Sequence, residues 1–316
     1  MSNNHHHDHF ITISDDAPDS VKRRVRMTAL LSMVVAIILI AIKSVAWVLT
    51  GSVAMLGALL DSVLDFSISL MNFFAIRHAQ TPADKEHRFG HGKAEALAAL
   101  AQGVIIAGAA IFLVVESAQA GLATNTINYS TIGIATMVIS IVLTLALVFV
   151  QRRVARSTKS IAISADEAHY ASDVYMNVGV IAALVLSSAP FNFLYADAIC
   201  GVIVAGILAR GAWRIIFTAT TQLMDAEMSE EERSAIRKII TSHPQVRGLH
   251  DLRTRRAGLD CFVQCHIELD GTMSLTQAHT ISDAVEEAVC EAFPNAQVLI
   301  HQDPDGAETI TPLEKT

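Results

Sequence analysis

Charge is scarce in this chain. Only 17% of its 316 residues are Asp, Glu, Lys or Arg, where a soluble protein carries roughly a quarter. Hydrophobic residues make up 52%, and the mean hydropathy is +0.43. That deficit excludes an ordinary soluble protein and implies an integral membrane protein with a soluble portion. Excess positive charge is absent too, since a formal net charge of −8 argues against nucleic acid as a partner. Cysteine is rare: four residues, at 200, 261, 265 and 290, with no CxxC among them, show no disulfide framework. Cys261 and Cys265 share one face of a predicted strand with Val263 and Ile267, the placement of small core residues. No HExxH or similar hydrolase motif occurs, nor any internal repeat. A basic cluster, Lys22–Arg26, precedes an apolar run that reaches Thr50. That run is too long for a signal-peptide core of about 7–15 residues, so no cleavable signal is expected.

What is present is a series of long apolar stretches. Six predicted spans come near the ~20 residues a bilayer needs: Thr28–Leu49, Ser52–Ile76, Ala94–Ala120, Ile127–Val150, Ile161–Ser187 and Tyr195–Thr220. The fifth opens on a polar half, IAISADEAHYASD, that a hydropathy window would cut away. Lysine and arginine alternate strictly between the connections. They occur before span one (Lys22, Arg23, Arg24, Arg26), between two and three (Arg77, Lys85, Arg88, Lys93) and between four and five (Arg152, Arg153, Arg156, Lys159). The connections around Gly51, Gly121–Thr126 and Ser188–Leu194 have none. By the positive-inside rule both termini are expected in the cytoplasm of a multi-pass protein.

After Thr220 the composition turns polar. Ser229 and Glu232 form a predicted capping box opening a helix to Ser242. His250–Arg256 and Cys261–Leu269 alternate like strands about a turn at Ala257–Gly258, and Gln297–His301 reads as a third strand. Ser274–Phe293 has helical period. The expected architecture is thus an α-helical membrane domain of six transmembrane helices plus a C-terminal cytoplasmic α/β domain of order αββαβ. The expected division is a His-containing tail over 1–20, the membrane domain over 21–220, the cytoplasmic domain over 221–304 and a tail over 305–316. The tail's HHHDH at 5–9 is read as dispensable rather than as a metal site.

Three constellations could carry chemistry. Asp61 and Asp65 sit mid-span on one helix face, one turn apart, where each carboxylate costs at least ~2.5–3.5 kcal/mol. His169 and Asp173 repeat that spacing in the polar half of span five. At 1.5 Å per residue Asp65 and Asp61 lie roughly 17 and 23 Å from the inner end of span two, and His169 and Asp173 about 12 and 18 Å along span five. Three carboxylates and an imidazole at overlapping depth suit a divalent ion of zinc type. An all-oxygen cage for calcium or magnesium would not call for the histidine. Asn72 and Asn177 are expected to bond between helices. The second constellation is Asp84, His87 and His91 in the loop PADKEHRFGHGKAE, where Gly90 and Gly92 permit the chain to fold back. Polar loop residues at a membrane surface read nearly as well on that spacing. The third is His250, His266, His279 and His301 with Asp303 in the soluble domain. His78 and His243 are read as bystanders.

Together these residues resemble the cation diffusion facilitator family, and within it the bacterial zinc/iron efflux pumps. The motifs are DxxxD at 61–65, HxxxD at 169–173, PADKEHRFGHGKAE at 82–95, HDLRTR at 250–255, QAH at 277–279 and IHQDP at 300–304. The resemblance spans about residues 20–304. It implies a homodimer in the bacterial inner membrane that exchanges a cytoplasmic divalent metal for protons by alternating access. Zn2+ is the expected cargo and regulatory ion, with Cd2+ or Fe2+ open because geometry and availability decide selectivity. The resemblance further implies a transport site of Asp61, Asp65, His169 and Asp173, and a loop site of Asp84, His87 and His91. It implies a two-metal cytoplasmic cluster of His250, His266, His279, His301 and Asp303, and an interdomain charge pair, Lys93 and Asp225. Partners are then a second copy, lipid and protons. The alternatives are a passive divalent-cation channel, a membrane-anchored metal sensor and a metalloenzyme using the histidine cluster.

Overall fold

The computed structural model describes residues 19–50, 53–120, 131–187 and 196–306. The segment at 5–9, most of the two expected tails and the three connections without Lys or Arg lie outside the described residues. The chain forms two units, which are described in turn.

The first unit holds six long helices: α1 (Asp19–Thr50), α2 (Val53–Ala79), α3 (Lys93–Ala120), α4 (Thr131–Thr158), α5 (Ile161–Ser187) and α6 (Ala196–Leu223). Among the described residues, five of them are long and apolar enough to cross a membrane. The sixth, α5, carries Asp166, Glu167, His169 and Asp173 in its first half. The unit is inside-out relative to a soluble bundle. Ile111, Phe112, Phe149, Trp213 and Phe217 face outward, while Ser32, Ser69, Asn72, Gln102, Gln151 and Asp166 are buried. Hydrocarbon as the surrounding solvent explains both halves of that pattern.

Since lipid tails are as apolar as leucine, such helices associate through close packing of small residues. α3 and α6 do so through Ala96, Ala99 and Ala110 against Ala212 and Ala219. At Gly103 a Cβ would stand 2.8 Å from Ile216 Cγ1, too near to be tolerated unmoved. A smaller cluster of Val35, Leu39, Leu147, Val148 and Tyr170 joins α1, α4 and α5. α2 and α5 run antiparallel, since Asp65 meets His169 while Asn72, seven residues on, meets the Ala162 carbonyl.

The second unit comprises Thr81–His91 and the chain from Asp225 onward. Its elements are α7 (Glu230–Thr241), β1 (Gly248–Ala257), β2 (Asp260–Leu269), α8 (Leu275–Ala292) and β3 (Ala296–Pro304), in the expected αββαβ order. Ser229 and Glu232 close a reciprocal capping box on α7, and Ser274 and Gln277 close a second on α8. The sheet order is β1-β2-β3, with β1 antiparallel and β3 parallel to β2. Gly258, at φ +62°, makes the tight β1–β2 turn. Alternation along β2 sends Cys261, Val263, Cys265, Ile267 and Leu269 into a core shared with Ile236, Ile240, Ile281, Val285 and Val289 of the helices. Burial pushes both Cys261 and Cys265 thiols up to about 11. They stay protonated at neutral pH and are poor metal ligands.

Ile267 is 0% exposed at the centre of this core. Ile267→Ala is expected to destabilise the unit by about 2–5 kcal/mol. Limited proteolysis of the detergent-solubilised chain checks this: cleavage after Asp225 should accelerate while the helical unit stays intact.

Candidate metal centres

Among the described residues, three groups of side chains bring possible ligand atoms within 4.8 Å of one another. The first, Asp65, His169 and Asp173, lies inside the helical unit. His169 Nε2 stands 3.2 Å from Asp65 Oδ1 between α2 and α5, and both side chains are about 90% buried. Beside it, Tyr170 and Ser69 share a 2.7 Å hydroxyl–hydroxyl bond that ties the same two helices. Asp61, the fourth expected ligand, lies one turn along α2 and is exposed, outside the converging set. Asn72 does bond between helices, but Asn177 donates to the Asp173 carbonyl of its own helix at 2.8 Å. A side chain four residues on can satisfy itself on the preceding turn, and here that local option prevails.

Around this group the structure places polar residues that the spacing argument passed over. Asp166 is fully buried and accepts from Ser32 Oγ and Gln151 Nε2, both at 2.7 Å. Lys43 of α1 donates to the buried Ser62 Oγ at 2.6 Å. The signal for Asp166 was visible, three residues before His169 and so on the same helix face. That for Lys43 was a single cation in an apolar run.

The second group, Asp84, His87 and His91, lies in the segment Thr81–His91, which belongs with the α/β unit. Asp84 Oδ1 accepts the backbone N–H groups of Glu86 and His87 at 2.8 and 2.6 Å, so the turn closes on its own side chain. Those bonds, the His87 one foremost, hold the Asp84 carboxyl below the usual carboxylate range. Gly90 supplies the positive φ, +78°, that returns the chain. His91 Nε2 then reaches Asp84 Oδ2 at 3.3 Å, and His87 Nδ1 reaches Oδ1 at 3.4 Å. Between the two histidines Phe89 packs edge-on against Phe262 of β2, with ring centroids 6.0 Å apart. The Arg255 guanidinium lies 3.9 Å over the Phe262 ring and pairs with Asp225 at 3.2 Å. Lys93, the other member of the expected charge pair, donates to the Leu223 carbonyl within the helical unit at 3.2 Å.

The third group is built by strand register. His250 pairs with His266 across β1–β2, and His266 pairs with His301 across β2–β3, so three imidazoles stand in one row. Ring centroids are 5.1 and 4.6 Å apart along the row. Asp303 reaches all three: Oδ2 stands 3.2 Å from His250 Nε2 and 2.9 Å from His266 Nδ1, and Oδ1 stands 3.4 Å from His301 Nε2. Burial raises the Asp303 carboxyl, but the His266 hydrogen bond and the surrounding imidazoles outweigh it and hold it below the ordinary value.

The convergent three are His250, His266 and Asp303. His301 flanks them, and His279 stands apart on α8, 3.4 Å from Asp283. A bulge after His250, with Asp251 at φ +49°, ends regular pairing beside the row. Glu268 Oε1 lies 3.2 Å from His250 Nδ1, out of line for a hydrogen bond. Neither Asp251 nor Glu268 stood out in the sequence, because lone acids beside surface strands are common.

Both units of the chain are similar in sequence to known proteins. Residues 29–224 match the family profile described as the cation efflux transmembrane domain, and residues 228–305 match the cation efflux protein cytoplasmic domain. The cation-efflux pump FieF of Shewanella oneidensis is 43% identical over 287 residues, covering 91% of this chain and 96% of its own length. The FieF of Serratia proteamaculans is 45% identical over 282 residues, covering 89% and 93%. A solved structure of CzrB in a Zn form is 33% identical, covering 26% of this chain and 96% of its own, with a TM-score of 0.25.

Proposed function

Because the chain belongs to the cation efflux family, we propose that this multi-pass membrane protein exports a divalent transition metal from the cytoplasm in exchange for protons. Zinc is the first candidate, with cadmium and iron(II) as alternatives, and the working unit is a homodimer. One observation carries the reading: the convergence of Asp65, His169 and Asp173 at a buried point between α2 and α5. Intramembrane ionisable groups are expensive and persist where an ion or proton must pass. Asp61, one turn from Asp65, is the proposed fourth ligand. Asp84, His87 and His91 form a proposed loop site, and His250, His266, His279, His301 and Asp303 a proposed cytoplasmic cluster.

The mechanism follows from competition at shared atoms. A cation needs ionised aspartates and a neutral His169. The 3.2 Å contact between His169 Nε2 and Asp65 Oδ1 is where a shared proton sits, so a cation held by those two atoms must displace it. Facing a neutral cytoplasm the site loads metal; facing a more acidic exterior it takes protons and releases metal. The Tyr170–Ser69 bond keeps α2 and α5 in step while the bundle changes the side to which they open.

Proteoliposome flux tests this reading. Zinc uptake is expected to move protons in the opposite direction and to accelerate with an imposed pH gradient. Cadmium, iron(II) and manganese, run in parallel, rank the cargo. Zinc flux indifferent to the gradient would favour a passive channel.

A further inference from the structure

Lys43 carries a full charge into the apolar run of α1, roughly 10 Å short of that helix's far end at 1.5 Å per residue. A lysine so placed ordinarily snorkels outward to the interface. Here Nζ instead turns inward, 2.6 Å from Ser62 Oγ. Ser62 is 0% exposed and sits between Asp61 and Asp65 in sequence. A serine hydroxyl cannot compensate a cation in hydrocarbon, so the partners that justify this ammonium are the carboxylates around it. Ser62 shares a helix face with Asp65, three residues on, and Asp65 converges with Asp173 of α5, so the ammonium is brought to the side of α2 that carries the acidic group. The other ionisable groups near the site are Asp61, Asp166 and His169.

Charge counting then becomes informative. The carboxylates proposed as ligands, Asp61, Asp65 and Asp173, contribute three negative charges when ionised, and Lys43 returns one; Asp166, held by its own donors Ser32 and Gln151 and outside the convergent group, is not counted. The remainder is minus two, which a divalent ion cancels and a monovalent or trivalent ion does not. In a low-dielectric site an uncancelled charge is costly.

We propose that Lys43 is a built-in counter-cation that sets the transport site's charge, restricting its cargo to divalent ions and keeping their binding weak enough for release. The proposal rests on Asp65, His169 and Asp173 being the transport site.

The test uses the full-length protein with Lys43→Met and Lys43→Arg. Zinc affinity of the membrane site is read as binding lost on adding Asp65→Ala, and turnover is read in proteoliposomes. Lys43→Met is expected to bind zinc about tenfold more tightly or more. It should turn over correspondingly more slowly and become sensitive to competition by lanthanum(III), while Lys43→Arg stays near wild type. Unchanged affinity and competition in Lys43→Met overturn the proposal, as does equal damage by Met and Arg. Where Lys43→Met fails to fold, Lys43→Gln, which can keep the Ser62 contact, carries the same comparison. If wild type binds zinc through Asp65 yet moves none, the transport reading fails while the affinity comparison still decides the role of Lys43.

Discussion

Replacing Asp65 by alanine is expected to lower zinc flux in proteoliposomes by more than about 100-fold, because even outer partners of metal ligands typically contribute about 10–100-fold. In the proposed site Asp65 is a ligand and also the acceptor for His169, 3.2 Å away with both side chains about 90% buried. Its loss removes one ion contact and leaves a buried imidazole unpartnered, a cost of ~1–3 kcal/mol before any metal arrives. His169→Ala should be comparably inactive for a different reason: it removes the one nitrogen among the proposed ligands and with it the preference for zinc-type ions over magnesium. Both variants should elute from size exclusion as wild type does, since the α3–α6 packing is untouched. Retention of more than half the flux in Asp65→Ala would place the transported ion elsewhere. Unchanged cellular metal tolerance would point instead to a sensor.

Asp303→Ala carries the second large effect. Among the described residues its carboxylate is the one group that touches His250, His266 and His301 together. Without it the row keeps three imidazoles but loses its only shared anion, and zinc affinity at this cluster is expected to drop by at least about 10–100-fold. Equilibrium dialysis of the full chain against zinc should then show at least one fewer tight ion per protomer. The pH dependence has a definite sign. The folded Asp303 carboxyl lies below its ordinary value, so its contribution to stability is present above the unfolded carboxylate range near ~3.9 and is lost as pH falls through the lower, folded value. Above that lower value the folded carboxylate stays ionised and available to the row. Asp303→Ala should therefore flatten the acid limb of a stability-versus-pH curve while leaving the neutral plateau's shape unchanged. A wild-type acid limb in the variant would overturn that assignment.

Much of this protein was legible one residue at a time, wherever the physics is local. A carboxylate in an apolar run is conspicuous against a hydrocarbon background, and a spacing of four places Asp61 with Asp65 and His169 with Asp173 on one helix face whatever surrounds them. The capping box at Ser229 and the Gly258 turn are equally short-range, and the αββαβ order emerged from period alone. Where a property depends on how far one element stands from another, the chain order was silent. Only the packing of α2 on α5 decided that Asp65, His169 and Asp173 converge while Asp61 lies a turn away and exposed. Strand register, interrupted by the bulge after His250, aligned three histidines drawn from fifty-odd positions of chain and left His279 outside. The grouping of the 81–91 loop with the α/β unit rests on Phe89 meeting Phe262, a contact no spacing encodes. Lys43 of α1 meets Ser62 of α2, another contact that no spacing encodes. By itself, then, the sequence determined which residues are chemically costly and which share a face, since both follow from backbone period and solvent. Which of those residues meet was decided by tertiary packing, because distances between elements are set by side chains far from the site.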